Sequence, residues 1–272
     1  MKIVVTGGAG FIGSHVVDAY IDAGHDVVVI DDLSTGKESN VNKDALFYKA
    51  DITDAEALKK IFHKEKPEIV NHHAAQVDVQ KSMEDPTHEI LTNQIGTINL
   101  LNCAIENRIK KFIFASSAAV YGNKSVFSQE NTICKPLSLY GFSKLSCEEY
   151  IKYYNRRYSL PFTILRYPNV YGPRNKSGEK GVIQIFLKKM ISNEETTIFG
   201  SGKQTEIETI YEMIKKITSY KKPAKKEKER QGEIFQSSLN PNQAEIHLFG
   251  WKAKTELLDG LQKMYEEMKN AQ

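Results

Sequence analysis

The chain has 272 residues, of which 40% are hydrophobic and 26% charged, long for one small domain and apolar enough for a packed core. Thirty-seven basic residues against 34 acidic ones leave a net charge of only +3, which gives no overall electrostatic case for nucleic acid. Three cysteines (Cys103, Cys134, Cys147) with no CxxC pair argue against a disulfide framework or a metal site and fit a reducing cytoplasm.

Taken in chain order, the opening run MKIVVTGGAGFIG is broken by glycines within a few residues, so it reads as neither a signal peptide nor a membrane anchor. No later apolar run approaches the ~20 residues of a membrane helix. Short β-branched runs at Lys2–Thr6, Asp26–Ile30, Glu68–Asn71 and Lys111–Ala115 alternate with helical patterns at Gly10–Ala23, Ala55–Lys64 and Gln94–Asn107. Buried strands alternating with helices predict an α/β fold, a doubly wound parallel sheet of the Rossmann type. A helix over Gly141–Tyr158 and a strand over Pro161–Arg166 continue the pattern.

After Tyr167 the pattern loosens. Tyr171–Asn175 reads as a turn-rich loop, Gly181–Ile191 and Thr205–Tyr220 as helices, and Gln243–Phe249 and Lys254–Asn270 as terminal helices. Lys221–Arg230 holds six basic and two acidic residues around Pro223 and reads as a solvated loop. It lacks interleaved aromatics, so nucleic-acid binding through it has little support. The division expected is a Rossmann domain over 1–167 and a smaller, reduced lobe over 168–272, with some segments crossing between them.

Gly7, Gly10 and Gly13 follow a strand and open a helix. The first permits the tight turn, the second lets backbone approach a pyrophosphate, and the third lets helix and strand pack closely. The helix start, at Phe11 and Ile12, then offers free N–H groups and a positive dipole end. Asp31 ends the second strand 18 residues past Gly13, close to the ~20 expected of a ribose-binding carboxylate. A carboxylate there accepts from a 2′-hydroxyl and repels a 2′-phosphate, which favours NAD over NADP. Asp32 can share that role. Asp51-Ile52 can cap the adenine edge, and Asp51 reads equally as an ordinary helix-start aspartate.

The sharpest signal lies between Phe112 and Lys144. Ser116–Gly122 follows an apolar strand, and Tyr140 and Lys144 stand four apart on one face of a helix start. Strand ends and helix starts converge at the carboxyl edge of a parallel sheet. Oxidising a sugar hydroxyl needs a base for the proton and an acceptor for the hydride. A free phenol, with its pKa of about 10, is a poor base; the Lys144 ammonium and a positive nicotinamide are expected to lower it for Tyr140. Ser117 would hydrogen-bond the reacting oxygen.

With these residues in place, the chain resembles the extended short-chain dehydrogenase/reductases, most closely the UDP-glucose 4-epimerase-like NAD-dependent sugar epimerases. The matching motifs are Thr6–Gly13, His73-Ala74-Ala75-Gln76, Asn93 with Gly96-Thr97, Ser116–Gly122, Tyr140–Lys144 and Leu165–Arg174, and the match runs from Met1 to about Thr205. The resemblance implies that Tyr140 takes the hydroxyl proton while NAD takes a hydride from sugar C4, and that the 4-keto sugar turns over and receives the hydride on its other face. It places Ala74, Ala75, Gln76, Asn93 and Tyr167 beside the cofactor and Lys81 near cofactor or substrate phosphates. It places Asn169 on the substrate diphosphate and Gln184, where a proline is more usual, near the nucleotide. It implies a homodimer through the helices around Gln94–Asn107 and Gly141–Tyr158.

Two departures matter. The family's dehydratases carry an Asp-Glu pair where this chain has Ala118-Ala119, so elimination lacks its general acid and base there. Gly200–Thr205 passes directly to Glu206–Ile210, without the roughly thirty to forty residues that relatives carry between them, a loss that leaves the size of a domain plausible. The absent stretch includes an arginine that pairs with the substrate diphosphate, a strong charge-assisted contact. Arg230, in a run Arg230-Gln231-Gly232-Glu233 that matches the family's Arg-Pro-Gly-Glu motif, is the remaining candidate. The expectation is 4-epimerisation of a UDP-hexose. Its alternatives are a degenerate NAD-binding relative without turnover and another nucleotide-sugar epimerase or decarboxylase.

Overall fold

Six parallel strands order themselves around the glycine-rich turn. The computed structural model describes residues 1–122, 131–175, 182–199, 205–227 and 255–270. Within it β1 (Lys2–Thr6), β2 (Asp26–Asp31), β3 (Leu46–Lys49), β4 (Ile69–His72), β5 (Lys111–Ser117) and β6 (Phe162–Tyr167) form one sheet in the order β3-β2-β1-β4-β5-β6. All its pairings are parallel. The order reverses at β1, which sets Val4 beside Val28 on one side and Val70 on the other. That is where a crevice opens at the carboxyl ends of such a sheet.

Each face has its own core. On one, Val4, Val28, Ile30, Val70, Phe112 and Phe114 meet α2 (Ala55–Glu65), α5 (Gly96–Glu106) and α6 (Leu139–Tyr158) through Leu58, Phe62, Leu100, Leu101 and Ile151. On the other, Ile3, Val5, Val27 and Val29 pack on Val17 of α1 (Phe11–Asp22). Alternate residues of one strand thus serve opposite faces. Each fully buried Phe, Leu or Ile contributes about 1.5–3 kcal/mol.

The helix boundaries have local causes. Asp54 caps α2 by accepting from Ala57 N at 3.0 Å, and Lys66 ends it in the left-handed region at φ 47°. Ser138 caps α6 by accepting from Gly141 N, so α6 starts two residues before the expected Gly141. The expected helix from Gln94 is preceded by α3 (Val79–Glu84), by a short α4 (Pro86–Glu89) capped by Asp85, and by a π-helical turn over Ile90–Ile95.

The described residues form two compact units, one of residues 1–122 with 131–168, the other of residues 169–175, 182–199, 205–227 and 255–270. In the second, α7 (Val182–Ile191), α8 (Thr205–Thr218) and α9 (Leu257–Asn270) enclose Phe186, Leu187, Ile214, Leu261 and Met264. β7 (Thr197–Phe199) pairs in parallel with β8 (Lys225–Glu227). The strand β8 corrects the expectation of a loop across Lys221–Arg230: its side chains are exposed and polar, so its extended state comes from the ladder with β7 and leaves no apolar period in the sequence. The helix expected at Gln243–Phe249 lies outside the described residues.

Candidate active site

The glycine turn is built as tightly as its spacing implies. Gly7 sits at φ +70°, and a Cβ on it would lie 2.5 Å from Ala74 N. A Cβ on Gly13 would lie 2.1 Å from the Gly7 carbonyl oxygen, whereas one on Gly10 would meet only that oxygen at 3.1 Å. Gly10 is also the N-cap of α1 and offers no side-chain cap. Among the described contacts the first-turn N–H groups of Phe11, Ile12 and Gly13 have no acceptor, so they are left for an anion from outside.

Asp31, 7% exposed at the end of β2, accepts from Ala9 N at 3.0 Å and Leu33 N at 2.8 Å. It therefore clamps the glycine turn. Burial, ahead of these two hydrogen bonds, raises its pKa. Asp32 is exposed and accepts from Ser34 N and Oγ. Asp51 is exposed and closes a local turn with Thr53 N, and the helix cap falls to Asp54. The Ile52 side chain is buried in the core against Gly96. An open glycine cradle, free helix N–H groups and a strand-end carboxylate fit a dinucleotide with an unmodified 2′-hydroxyl.

Ala74 N donates to Thr6 Oγ1 at 3.2 Å. Gln76 and Asn93 are bound to each other, Gln76 N donating to Asn93 Oδ1 at 2.8 Å and Asn93 Nδ2 to Gln76 O at 2.9 Å. Their side-chain amides also donate to the buried Glu89 at 2.7 and 2.6 Å. These side-chain amides brace the loop after β4 against α4 and the π-helical turn. Tyr167 stacks on His73 with ring centroids 6.0 Å apart. Burial holds the His73 imidazole near a pKa of about 4 and pushes the Tyr167 phenol up to about 12.

Ser117 ends β5, and its Oγ accepts from Ala119 N at 3.1 Å. The turn sets it near Tyr140, where it draws the phenol's pKa down against the push of burial. A Cβ on Gly141 would lie 2.7 Å from Ala119 O, so this glycine is what lets α6 approach the serine turn. Lys144 lies one helical turn beyond Tyr140 and is 3% exposed. Its Nζ donates to Ala115 O at 2.9 Å and lies 4.8 Å from the centre of the Phe114 ring. Burial lowers the Lys144 pKa to about 8. The expectation that Lys144 lowers the phenol does not hold in the chain alone. Burial pushes Tyr140 up to about 12, and only the Ser117 hydrogen bond acts the other way. The reason is geometric: the ammonium is turned to a carbonyl and a ring face.

Beneath the site, Glu148 accepts from Arg166 Nε at 2.9 Å, Arg166 Nη2 at 2.6 Å and Ser116 Oγ at 2.6 Å. This buried pair ties β5, β6 and α6 together. No pattern in the sequence singles it out, because its partners lie on separate elements. Lys81 is exposed on α3. Asn169 and Gln184 belong to the second unit, Asn169 exposed and Gln184 6% exposed. Arg230 lies outside the described residues.

A family model described as the NAD dependent epimerase/dehydratase family matches residues 3–206. The chain belongs to that family. It is an enzyme of the epimerase type, with NAD as the family's cofactor. A Methanocaldococcus jannaschii relative, a putative UDP-glucose 4-epimerase, is 39% identical over 303 aligned positions, spanning 98% of this chain and 98% of its own. An alignment of 303 positions against 272 residues leaves at least 31 positions without a residue here. Among solved structures, UDP-glucose 4-epimerase of Thermotoga maritima with UDP-glucose is 38% identical, with a TM-score of 0.95 over 100% of this chain and 99% of its own. The Thermus thermophilus UDP-glucose 4-epimerase complex with NAD is 30% identical, with a TM-score of 0.92 over 100% of both chains. Among the described residues, no helix of this epimerase-family chain is long and apolar enough to cross a membrane.

Proposed function

We propose that this chain interconverts the C4 epimers of a UDP-hexose, UDP-glucose and UDP-galactose, through a 4-keto sugar. The observation that carries this reading is Ser117 at the carboxyl end of β5 beside the start of α6, which Gly141 lets approach the serine turn, with Tyr140 and Lys144 one turn apart on that helix. NAD, when bound, supplies the hydride acceptor and a positive charge. The residues that would hold it are the N–H groups of Phe11, Ile12 and Gly13, with Asp31 on the adenosine ribose.

Ser117 Oγ orients the C4 hydroxyl toward the Tyr140 oxygen, which takes its proton and later returns it. The buried Lys144 ammonium keeps positive charge beside the pair. A phenol held up to about 12 stays protonated at neutral pH, so proton removal by Tyr140 waits on the charge that arrives with the cofactor. Ala118 and Ala119 place no carboxylate beside Ser117, which favours epimerisation over elimination. Lys81, Asn169 and Arg230 are assigned to phosphates and Gln184 to the nucleotide, with residues 1–167 as the cofactor domain and 168–272 as the substrate lobe. A homodimer is supported by the exposed Leu91, Ile95, Phe142, Tyr153 and Tyr158 on and around α5 and α6. The three free cysteines support a reducing, cytoplasmic setting.

The test is conversion of UDP-galactose to UDP-glucose by purified protein with added NAD, alongside Tyr140→Phe. Conversion by the wild type, its loss in the variant and retained NAD binding are expected. NAD binding without conversion by the wild type would favour the degenerate relative, the reading that the shorter chain supports. Loss of NAD binding together with activity in Tyr140→Phe would refute the role given to Tyr140.

A further inference from the structure

We infer that His72 is a positioning residue for the cofactor cradle: one chain of hydrogen bonds through its two ring nitrogens ties Thr6 and Ala74, beside the glycine turn, to Thr97 and Asn93, beside α6, and holds the ring as the Nε2-protonated tautomer. The inference rests on the reading of the Gly7–Gly13 turn as the seat of NAD.

His72 ends β4 and is 1% exposed. Its Nδ1 lies 2.7 Å from Thr6 Oγ1, at the end of β1, and its Nε2 lies 3.0 Å from Thr97 Oγ1, in the first turn of α5. The two ends of the chain fix its direction. At one end the Asn93 carbonyl only accepts, and Thr97 Oγ1 stands 2.5 Å from it, so the single hydroxyl hydrogen of Thr97 lies between them. Thr97 therefore accepts from His72, and Nε2 carries a hydrogen. At the other end Ala74 N only donates, and it gives its hydrogen to Thr6 Oγ1 at 3.2 Å. The Thr6 hydroxyl in turn donates to Nδ1. A hydrogen on Nδ1 as well would leave that hydroxyl hydrogen with no acceptor among the described contacts. It would also bury an imidazolium against the Phe114 ring, 5.6 Å away, on which the Lys144 ammonium already sits at 4.8 Å. Burial, with Lys144 behind it, keeps the ring neutral.

The chain begins where the cradle touches the loop after β4. Thr6 precedes Gly7, and Ala74 N is the atom that a Cβ on Gly7 would meet at 2.5 Å. Asn93, at the far end, holds the same loop again through Gln76 N and O, and its carbonyl accepts from Cys147 Sγ of α6 at 3.2 Å. The loop is thus fixed at Ala74 through Thr6 and His72, and at Gln76 through Asn93. An apolar ring of the same shape would leave the Thr6 hydroxyl hydrogen buried and unpaired. Thr6 could satisfy it only by turning away from Ala74 N, and the loop would lose its bond to β1 at the point where it meets Gly7.

The experiment reads the ring by long-range 1H–15N correlation of imidazole-15N-labelled protein, with and without NAD, His72 being assigned through its loss in His72→Phe. A neutral, Nε2-protonated ring is expected from about pH 5 to about pH 8. An Nδ1-protonated ring, or an imidazolium in that range, overturns the inference. In His72→Phe, NAD affinity by calorimetry is expected to fall about tenfold, and amide exchange at Ala74 to quicken about tenfold while that of Val28, in mid-sheet, holds. Unchanged affinity overturns the inference. A wild type that bound no NAD would end the reading of the glycine turn as the seat of NAD, and the Ala74 amide would then decide this one: faster exchange in His72→Phe supports it, and unchanged exchange overturns it. Should His72→Phe not fold, Thr97→Val removes the acceptor of Nε2–H and keeps the shape. Mixed tautomers and a weaker NAD affinity, both restored in Thr97→Ser, support the inference; a wild-type ring and affinity in Thr97→Val overturn it.

Discussion

Gly13→Ala tests whether the glycine turn is set by contact rather than by chain flexibility. The added Cβ would stand 2.1 Å from Gly7 O, 2.8 Å from Gly7 C and 3.1 Å from Gly8 Cα, so helix and turn must separate by about 1 Å, an overpacking that costs about 1–3 kcal/mol. Neither side can yield freely. Gly7 N donates to Ile30 O at 2.8 Å and Gly7 O accepts from Gly10 N at 3.1 Å, while α1 is anchored by the fully buried Val17. The separation also moves the N–H groups that would meet the pyrophosphate. Calorimetric titration with NAD is expected to show an affinity at least about tenfold weaker, equivalent to about 1.4 kcal/mol, with stability in urea lower by about 2 kcal/mol. Gly24→Ala is the control. It has φ +78° and no atom within 4 Å of its Cβ position, so it is expected to cost about 1 kcal/mol of backbone strain and leave NAD affinity unchanged. Wild-type affinity and stability in Gly13→Ala would refute the reasoning.

Arg166→Ala leaves Glu148 buried and unpaired, and a loss of about 3–5 kcal/mol is expected in urea unfolding; a loss under about 1 kcal/mol would show that water replaces the guanidinium. Lys144 gives a pH dependence with a fixed sign. Its folded pKa of about 8 lies below the ordinary 10.5, so between these values the unfolded chain holds a proton that the folded chain has released, and stability rises with pH. Relative to Lys144→Met, the wild type is expected to gain roughly 2–3 kcal/mol between about pH 8 and pH 10. A flat difference curve would place the ammonium in solvent. Above about pH 10 the sign reverses for Tyr140, whose phenol is held up to about 12.

Much of the cofactor half is legible in the sequence because its determinants are local. Gly7, Gly10 and Gly13 lie within one turn and one helix start, and Asp31 follows at the end of the next strand. Ser117, Tyr140 and Lys144 are carried by a strand end and a helix start that the topology of a parallel sheet brings to one edge. The helical period of about 3.6 residues fixes the relation of Tyr140 to Lys144 without any tertiary contact. Strand β3 and the π-helical turn escape such a reading, because β3 is only partly buried and a π turn differs from an α turn by one unit of hydrogen-bond spacing and leaves no pattern of residue types.

What the sequence by itself determined is the doubly wound sheet, the glycine turn and the identity of the groups that could do chemistry, since each follows from short-range geometry and periodic burial. Only the tertiary structure decided how those groups are charged and what holds them. Burial holds the Tyr140 phenol near 12 rather than below its ordinary 10.0, while Lys144 turns to Ala115 O and the Phe114 ring. Gln76 and Asn93 spend their side chains on Glu89, and Arg166 is tied to Glu148 across three elements. These outcomes depend on burial and on partners separated by up to 54 positions, as Ser143 is from Glu89. Desolvation and long-range pairing are properties of the assembled core, and no window of sequence contains them.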